Sequence, residues 1–301
     1  MRQKYFSFTH ETPNKGTCLG LCYDKVTFGA EVTGIERPDP YTLIIMFDNV
    51  LQALRSSRLG RLGRGHVDQD REASSLFAGD FVGTTTIEAE FSRSILGLGV
   101  MDNLGGEVIS LSGETWFVPQ DGTPLVAAPE DTLAFGIAAH GGIAHYLPLE
   151  QGLDFEGIND ALDRYLKDTH VDHEQVVCAL KIEGIFHDVL LRTVGTPEYE
   201  GETLEEVIEA EARFAFEQWS GTLVGFRYPD ASTGATIPGL HLHAISADRT
   251  SGGHLRGATL SQPVVAALWI DELHLRLENP GSLPAEPIDF DALEGPITGQ
   301  Q

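Results

Sequence analysis

The segment Pro238-Gly239-Leu240-His241-Leu242-His243 constrains this chain more than any other. Side chains alternate across a β-strand with period two, so His241 and His243 project to the same face of the sheet that contains them. Ile237, Leu240, Leu242, Ala244 and Ile245 make the surroundings apolar, and two buried imidazoles on one face need polar partners. The run Asp248-Arg249-Thr250-Ser251-Gly252-Gly253 has turn chemistry and is long enough to begin a neighbouring strand. It delivers a third histidine, His254. Three neutral imidazoles brought together in this way form the ligand set of a catalytic zinc site, with one position open for substrate. Each should donate its second N–H to an acceptor, for which Ser246 and Asp248 are nearby candidates.

The rest of the chain reads as α+β, two packed subdomains built on mixed and antiparallel β-sheets with few helices. The first spans residues 1–150 and the second, zinc-binding one, residues 151–301, with an extended acidic tail from 279. Strand candidates in the second are Val176–Ile182, Val189–Val194, Thr222–Tyr228, Leu240–Ser246, Leu255–Leu260 and Val264–Leu277. In the last, Leu273, Leu275 and Leu277 alternate with Glu272, His274 and Arg276, which places His274 on a wet face rather than in a metal site. Gly157 to Lys167 is the clearest helix, with Ile158, Leu162, Tyr165 and Leu166 on one face. Thr203 to Arg213 is a helical or irregular acidic segment. In the first subdomain, Thr84–Ser94 reads as a helix capped by threonine, with strand material at Gly97–Val100, Glu107–Leu111 and Trp116–Val118. Thr42–Phe47 is β-rich and passes into a short helix through Leu54, and residues 55–75 read as an Arg/Gly/Ser loop carrying Arg55, Arg58, Arg61, Arg64 and Arg71.

A net charge of −25 argues against nucleic acid and anionic membranes as partners. An anionic substrate must then be captured by concentrated local positive charge. No apolar run approaches the ~20 residues needed to span a bilayer. The segment Tyr5–His10 after the basic start is too short and polar for a signal-peptide core. Cys18, Cys22 and Cys178 are odd in number, which points to a reduced, cytoplasmic protein without a disulfide framework. The other histidines have plain readings. His10, His66, His170, His173 and His187 sit in polar surroundings, and His140 and His145 read as surface or loop residues.

Pro-Gly-x-His-Leu-His-x-x-Ser-x-Asp-Arg-x-x-Gly-Gly-His, read from Pro238 to His254, resembles the signature of the bacterial α-acetolactate decarboxylases. Ala179–Phe186, Leu191-Arg192-Thr193-Val194 and Gly221–Phe226 resemble that family's upstream segments in the same order, as do Thr85-Thr86-Ile87, Gly97-Leu98-Gly99 and Leu104-Gly105-Gly106-Glu107. The resemblance is strong over 175–277, fair over 84–118 and weak before residue 80. It implies a Zn2+ enzyme with a two-subdomain fold, acting as a homodimer to convert a small anionic 2-hydroxy-3-oxo acid, acetolactate, to acetoin and carbon dioxide. It carries zinc ligation to His241, His243 and His254, an essential arginine to Arg192 and an essential carboxylate to Glu107.

The chain departs from that pattern in places. Val100 stands where the family usually has threonine, Gly105 where it has aspartate, and Ala244 where it has phenylalanine. Glu286 and Glu294 lie where the family has a C-terminal catalytic glutamate, in a tail of different local pattern. Other readings of the residues are a decarboxylase or isomerase of a related acid, a cupin-type metal oxygenase, and a metal-stabilised binding protein without activity. The cupin pattern wants a glutamate four or five residues after the second histidine, where this chain has Ala247 and Asp248.

Overall fold

Strands dominate because the chain is rich in apolar stretches too short for helices and bounded by glycine and turn residues. In the computed structural model, residues 65–169, 176–228 and 235–276 are described, all of them in one compact unit. The strands are β1 (His66–Asp70), β2 (Thr85–Thr86), β3 (Leu96–Met101), β4 (Glu107–Leu111), β5 (Glu114–Val118), β6 (Leu125–Val126), β7 (Thr132–His140) and β8 (His145–Leu149). They continue with β9 (Val177–Thr193), β10 (Ala212–Tyr228), β11 (Gly239–Ser246), β12 (Gly252–Leu260) and β13 (Val264–Arg276). Helices are sparse: α1 (Ala73–Phe77), α2 (Ile87–Phe91), α3 (Phe155–Asp168) and α4 (Leu204–Glu209). This is the expected α+β class.

Strands β1 to β7 pair among themselves, as do β8 to β13. The two sets are joined by β1, which runs parallel to β13 from His66↔Glu272 to Asp70↔Arg276 and antiparallel to β7 on its other edge. Pairings elsewhere among the described residues are antiparallel. Strands β9, β10, β11 and β12 close into a ring, since β10 and β12 each pair with both β9 and β11.

The ring has two differently packed faces, as the period-two rule requires. Leu223 of β10 and Leu242 and Ala244 of β11 face a core that also holds Ile158, Leu162 and Leu166 of α3. Val224, Phe226 and Ile245 face the other way, packing with Leu98, Ile109 and Ile137 of the first set of strands. His241 and His243 share the parity of Ile245. The histidine face is therefore the one turned toward the first half of the chain.

Helix α3 forms where the sequence predicts it. Asp154 caps it by accepting from the Gly157 N–H at 2.8 Å, and Ile158, Leu162 and Leu166 are buried. Each such side chain contributes about 1.5–3 kcal/mol by leaving water. The helix expected over 84–94 is shorter, Ile87–Phe91, because Thr85–Thr86 pairs as β2; its threonine cap holds, with Thr86 accepting from the Ala89 N–H at 3.2 Å.

Several local expectations change. Val176–Ile182 and Val189–Val194 belong to one continuous strand, β9, whose one edge pairs with β10 throughout while the other passes from β13 to β12. The expected loop over 55–75 contains β1 and the start of α1. Arg71, expected on a solvated loop, is buried; it donates to the Val82 carbonyl at 2.8 Å and pairs with Asp80. The part of that loop before residue 65, the 42–54 reading, His10, His170, His173, Cys18, Cys22, Glu286 and Glu294 lie outside the described residues.

Candidate active site

Strands β11 and β12 carry His243 and His254 directly opposite each other, and one strand further His254 lies opposite Arg192 of β9. One row across three strands thus presents two imidazoles and a guanidinium, and His241 joins from two residues along β11. Glycines permit this close approach. Gly253 adopts φ +139°, and a Cβ there would come within 2.5 Å of the Arg192 carbonyl. A Cβ on Gly225 of β10 would meet the His241 carbonyl at 1.9 Å.

The three imidazoles converge. Ring centroids are 5.1 Å apart for His241 and His243, 4.8 Å for His241 and His254, and 5.5 Å for His243 and His254. His241 Nε2 stands 3.1 Å from His254 Nδ1. Strand β4 closes the far side, with the Val108 carbonyl 2.8 Å from His243 Nδ1 and Glu107 Oε2 3.4 Å from His243 Nε2. Burial, aided by His241 and His254 beside it, holds the His243 pKa well below the usual imidazole range, so the ring is neutral. A carbonyl only accepts, so Nδ1 carries the proton and donates it to Val108, leaving the Nε2 lone pair facing Glu107.

This donor set suits a divalent metal ion. Tetrahedral ligands at about 2.0–2.1 Å from an ion stand about 3.3–3.4 Å from one another, close to the 3.1 Å between His241 Nε2 and His254 Nδ1. The nitrogens of His241, His243 and His254 that can ligate all lie within 4.8 Å of one another. The orienting hydrogen bond comes from β4 rather than from the residues beside the motif. Ser246 and Asp248 instead form a turn, Ser246 Oγ donating to Asp248 Oδ1 at 2.7 Å and accepting from Thr250 N at 3.0 Å. Sequence neighbours lose to a distant strand because Ser246 ends β11 and Asp248 lies in the turn after it, where both are used to close that turn.

All five residues singled out from the sequence reach one pocket: Glu107, Arg192, His241, His243 and His254 line it together. The cavity is about 630 Å³ counting its open mouth. Its wall is apolar, formed by Phe77 of α1, Leu204 and Ile208 of α4, Val194 and Ile237. Helix α4 is held by a capping box, in which Thr203 and Glu206 exchange hydrogen bonds. Arg192 Nη1 reaches Glu211 Oε2 at 3.2 Å, and both side chains are buried. Glu211 escaped the sequence reading, since an acid at the end of an acidic helix carries no sign that β10 will turn it inward.

The departures fall in different places. Val100 lines the pocket directly opposite Glu107 in the β3–β4 pairing. Ala244 faces the α3 core, away from the histidines. Gly105 sits in the turn between Asp102–Leu104 and β4, outside the pocket lining. His145, expected at the surface, is buried in β8 with Nδ1 3.0 Å from the Tyr165 hydroxyl. His274 is exposed, as its alternation predicts.

No helix among the described residues is long and apolar enough to cross a membrane. The sequence profile of the alpha-acetolactate decarboxylase family matches residues 69–287. The alpha-acetolactate decarboxylase of Klebsiella aerogenes is 32% identical over 203 residues, covering 67% of this chain and 74% of that protein. That of Methanosarcina mazei is 30% identical over 181 residues, 60% of this chain and 61% of its own length. The crystal structure of alpha-acetolactate decarboxylase from Bacillus subtilis strain 168 superposes with a TM-score of 0.67 at 24% identity, covering 77% of this chain and all of the other, and so has the same fold. Profile, sequence and fold agree, and the chain belongs to the alpha-acetolactate decarboxylase family.

Proposed function

We propose that this protein is a zinc-dependent decarboxylase of acetolactate (2-hydroxy-2-methyl-3-oxobutanoate), with His241, His243 and His254 holding the ion. The observation that carries the reading is the convergence of these three imidazoles, one fixed as a neutral Nδ1–H donor, in a pocket that also holds Glu107 and Arg192. Family membership supports the substrate.

In the reaction the C1–C2 bond breaks, carbon dioxide leaves, and the electron pair passes toward the C3 ketone oxygen to give an enediolate. A proton added at C2 restores the ketone and yields acetoin. A zinc ion held by His241, His243 and His254 would supply Lewis acidity for the negative charge that develops. Arg192 offers a fork of donors for the substrate carboxylate, or for guiding a proton to the planar intermediate, and Glu211 fixes its orientation. Glu107, whose Oε2 is 3.4 Å from His243 Nε2, would hold the substrate hydroxyl or exchange the proton. The apolar wall excludes water and receives the methyl groups. Val100 makes this part of the wall apolar where the family pattern has a hydroxyl, so methyl contact replaces a hydrogen bond beside Glu107.

The cupin-type oxygenase loses its support: His254 joins His243 from the adjacent strand, in register, and the carboxylate comes from β4. The test is carbon dioxide and acetoin release from racemic acetolactate. Zinc-replete protein should turn over, and a chelator should abolish turnover until zinc is restored. A metal-replete protein that releases no acetoin would overturn the substrate assignment.

A further inference from the structure

A second cluster of imidazoles lies where the two halves of the sheet join. Strand β1 has β13 on one edge and β7 on the other, with His66 opposite His140 and Asp68 opposite His274. Directly paired residues share a face, and His66 and Asp68 share one by alternation. Three adjacent strands therefore present three imidazoles and a carboxylate on the same side. The rings form a row, His66 lying 5.0 Å from His140 and 4.8 Å from His274 between centroids, with interplanar angles of 23° and 24°. Asp68 serves all of them. Its Oδ2 is 3.4 Å from His66 Nε2 and 3.6 Å from His140 Nε2, and its Oδ1 is 3.2 Å from His274 Nδ1. None of the four lines the pocket described above.

We propose that His66, Asp68 and His274, with His140 beside them, bind a second divalent transition-metal ion, separate from the active site, which reverses the expectation that His274, being on a wet face, is no ligand. Ligating atoms of the first three lie within 4.8 Å of one another. Imidazole nitrogens with one carboxylate oxygen are the donor set of borderline ions such as Zn2+ and Ni2+ rather than of Ca2+ or Mg2+. The neighbouring cation is already engaged: Arg276 pairs with Asp70, two residues along from Asp68. His66 and His274 are partly to well exposed, so their rings are free to rotate inward onto an ion, and the ion can exchange with solvent. A chain of net charge −25 concentrates cations at such a surface. An ion held there would tie β1 to β13, the parallel pair that joins the two halves, and would stabilise the fold by mass action.

The experiment is calorimetric titration of the active-site-loaded protein with Zn2+, and separately with Ni2+, comparing wild type with His274→Gln and with Asp68→Asn. Wild type should take up one further equivalent that both variants lose. Added metal should raise the wild-type melting temperature but leave those of the variants unchanged. Decarboxylase activity of the loaded variants should match wild type, which separates this site from the catalytic one. Equal uptake by wild type and both variants would overturn the proposal. So would a wild type that takes up no further equivalent, the cluster then acting only as an imidazole–carboxylate network.

Discussion

His243 is the residue around which the candidate site is organised. Its Nδ1–H is spent on the Val108 carbonyl, so its other nitrogen has a single role, to offer a lone pair into the pocket. Glu107, facing that nitrogen, tests the division of labour. Three imidazoles suffice to hold an ion, so Glu107→Gln should keep zinc yet lose turnover by roughly two or more orders of magnitude, read from metal content and kcat on one preparation. Loss of zinc with loss of turnover would instead make the carboxylate a ligand. A second buried acid lies outside the site. Burial, with Asp70 nearby and only partly offset by Arg276, pushes the Glu90 pKa up to about 8. The native state therefore binds a proton that the unfolded chain releases near its ordinary value. Stability from this group is complete below about pH 4.5 and is lost as pH rises toward about 8, on the order of a few kcal/mol. Urea unfolding at pH 5, 7 and 9 should show that decline in wild type and a flatter profile in Glu90→Gln.

At the scale of elements, the site depends on strands coming closer than side chains normally allow. Gly225 marks the tightest approach, with the His241 carbonyl 1.9 Å from where a Cβ would stand. Gly225→Ala must part β10 from β11 at His241. The expected result is at least about a tenfold loss of zinc affinity, with destabilisation of about 1–3 kcal/mol. Unchanged affinity would show that His241 is not held by this pairing. The elements the sequence revealed were those with a period or a cap: α3 through its apolar face, the helix at Ile87–Phe91 through Thr86, and β11 and β13 through alternation or flanking apolar residues. Strand β7 left no such trace. Thr132–His140 is buried almost throughout, between β1 and β3, so Leu133 to Ala139 read as one apolar run with no alternation to detect. Strand β1 was hidden by a polar sequence, His-Val-Asp-Gln-Asp, whose hydrogen bonds come from pairing on both edges.

For the whole molecule, the site is a product of the two halves meeting. The histidines and Arg192 come from the ring β9–β12, whereas Glu107 and the Val108 carbonyl come from β4, the carbonyl lying 135 residues before His243 in the chain. Local reading found the imidazoles because strand parity and a short turn bring them together. Arg192 and Glu107 were legible only through family likeness, since no local pattern announces a long-range register. Glu211 and the orienting Val108 carbonyl were not legible at all, because backbone atoms and inward-turned acids have no sequence signature. The central claim is that three imidazoles hold one metal ion in the pocket lined by Glu107 and Arg192. Anomalous diffraction at the zinc edge from crystals of the metal-replete protein tests it most directly. A peak is expected about 2.0–2.1 Å from a nitrogen of each of His241, His243 and His254. A map without a peak there, collected from protein that actively releases carbon dioxide, would contradict it.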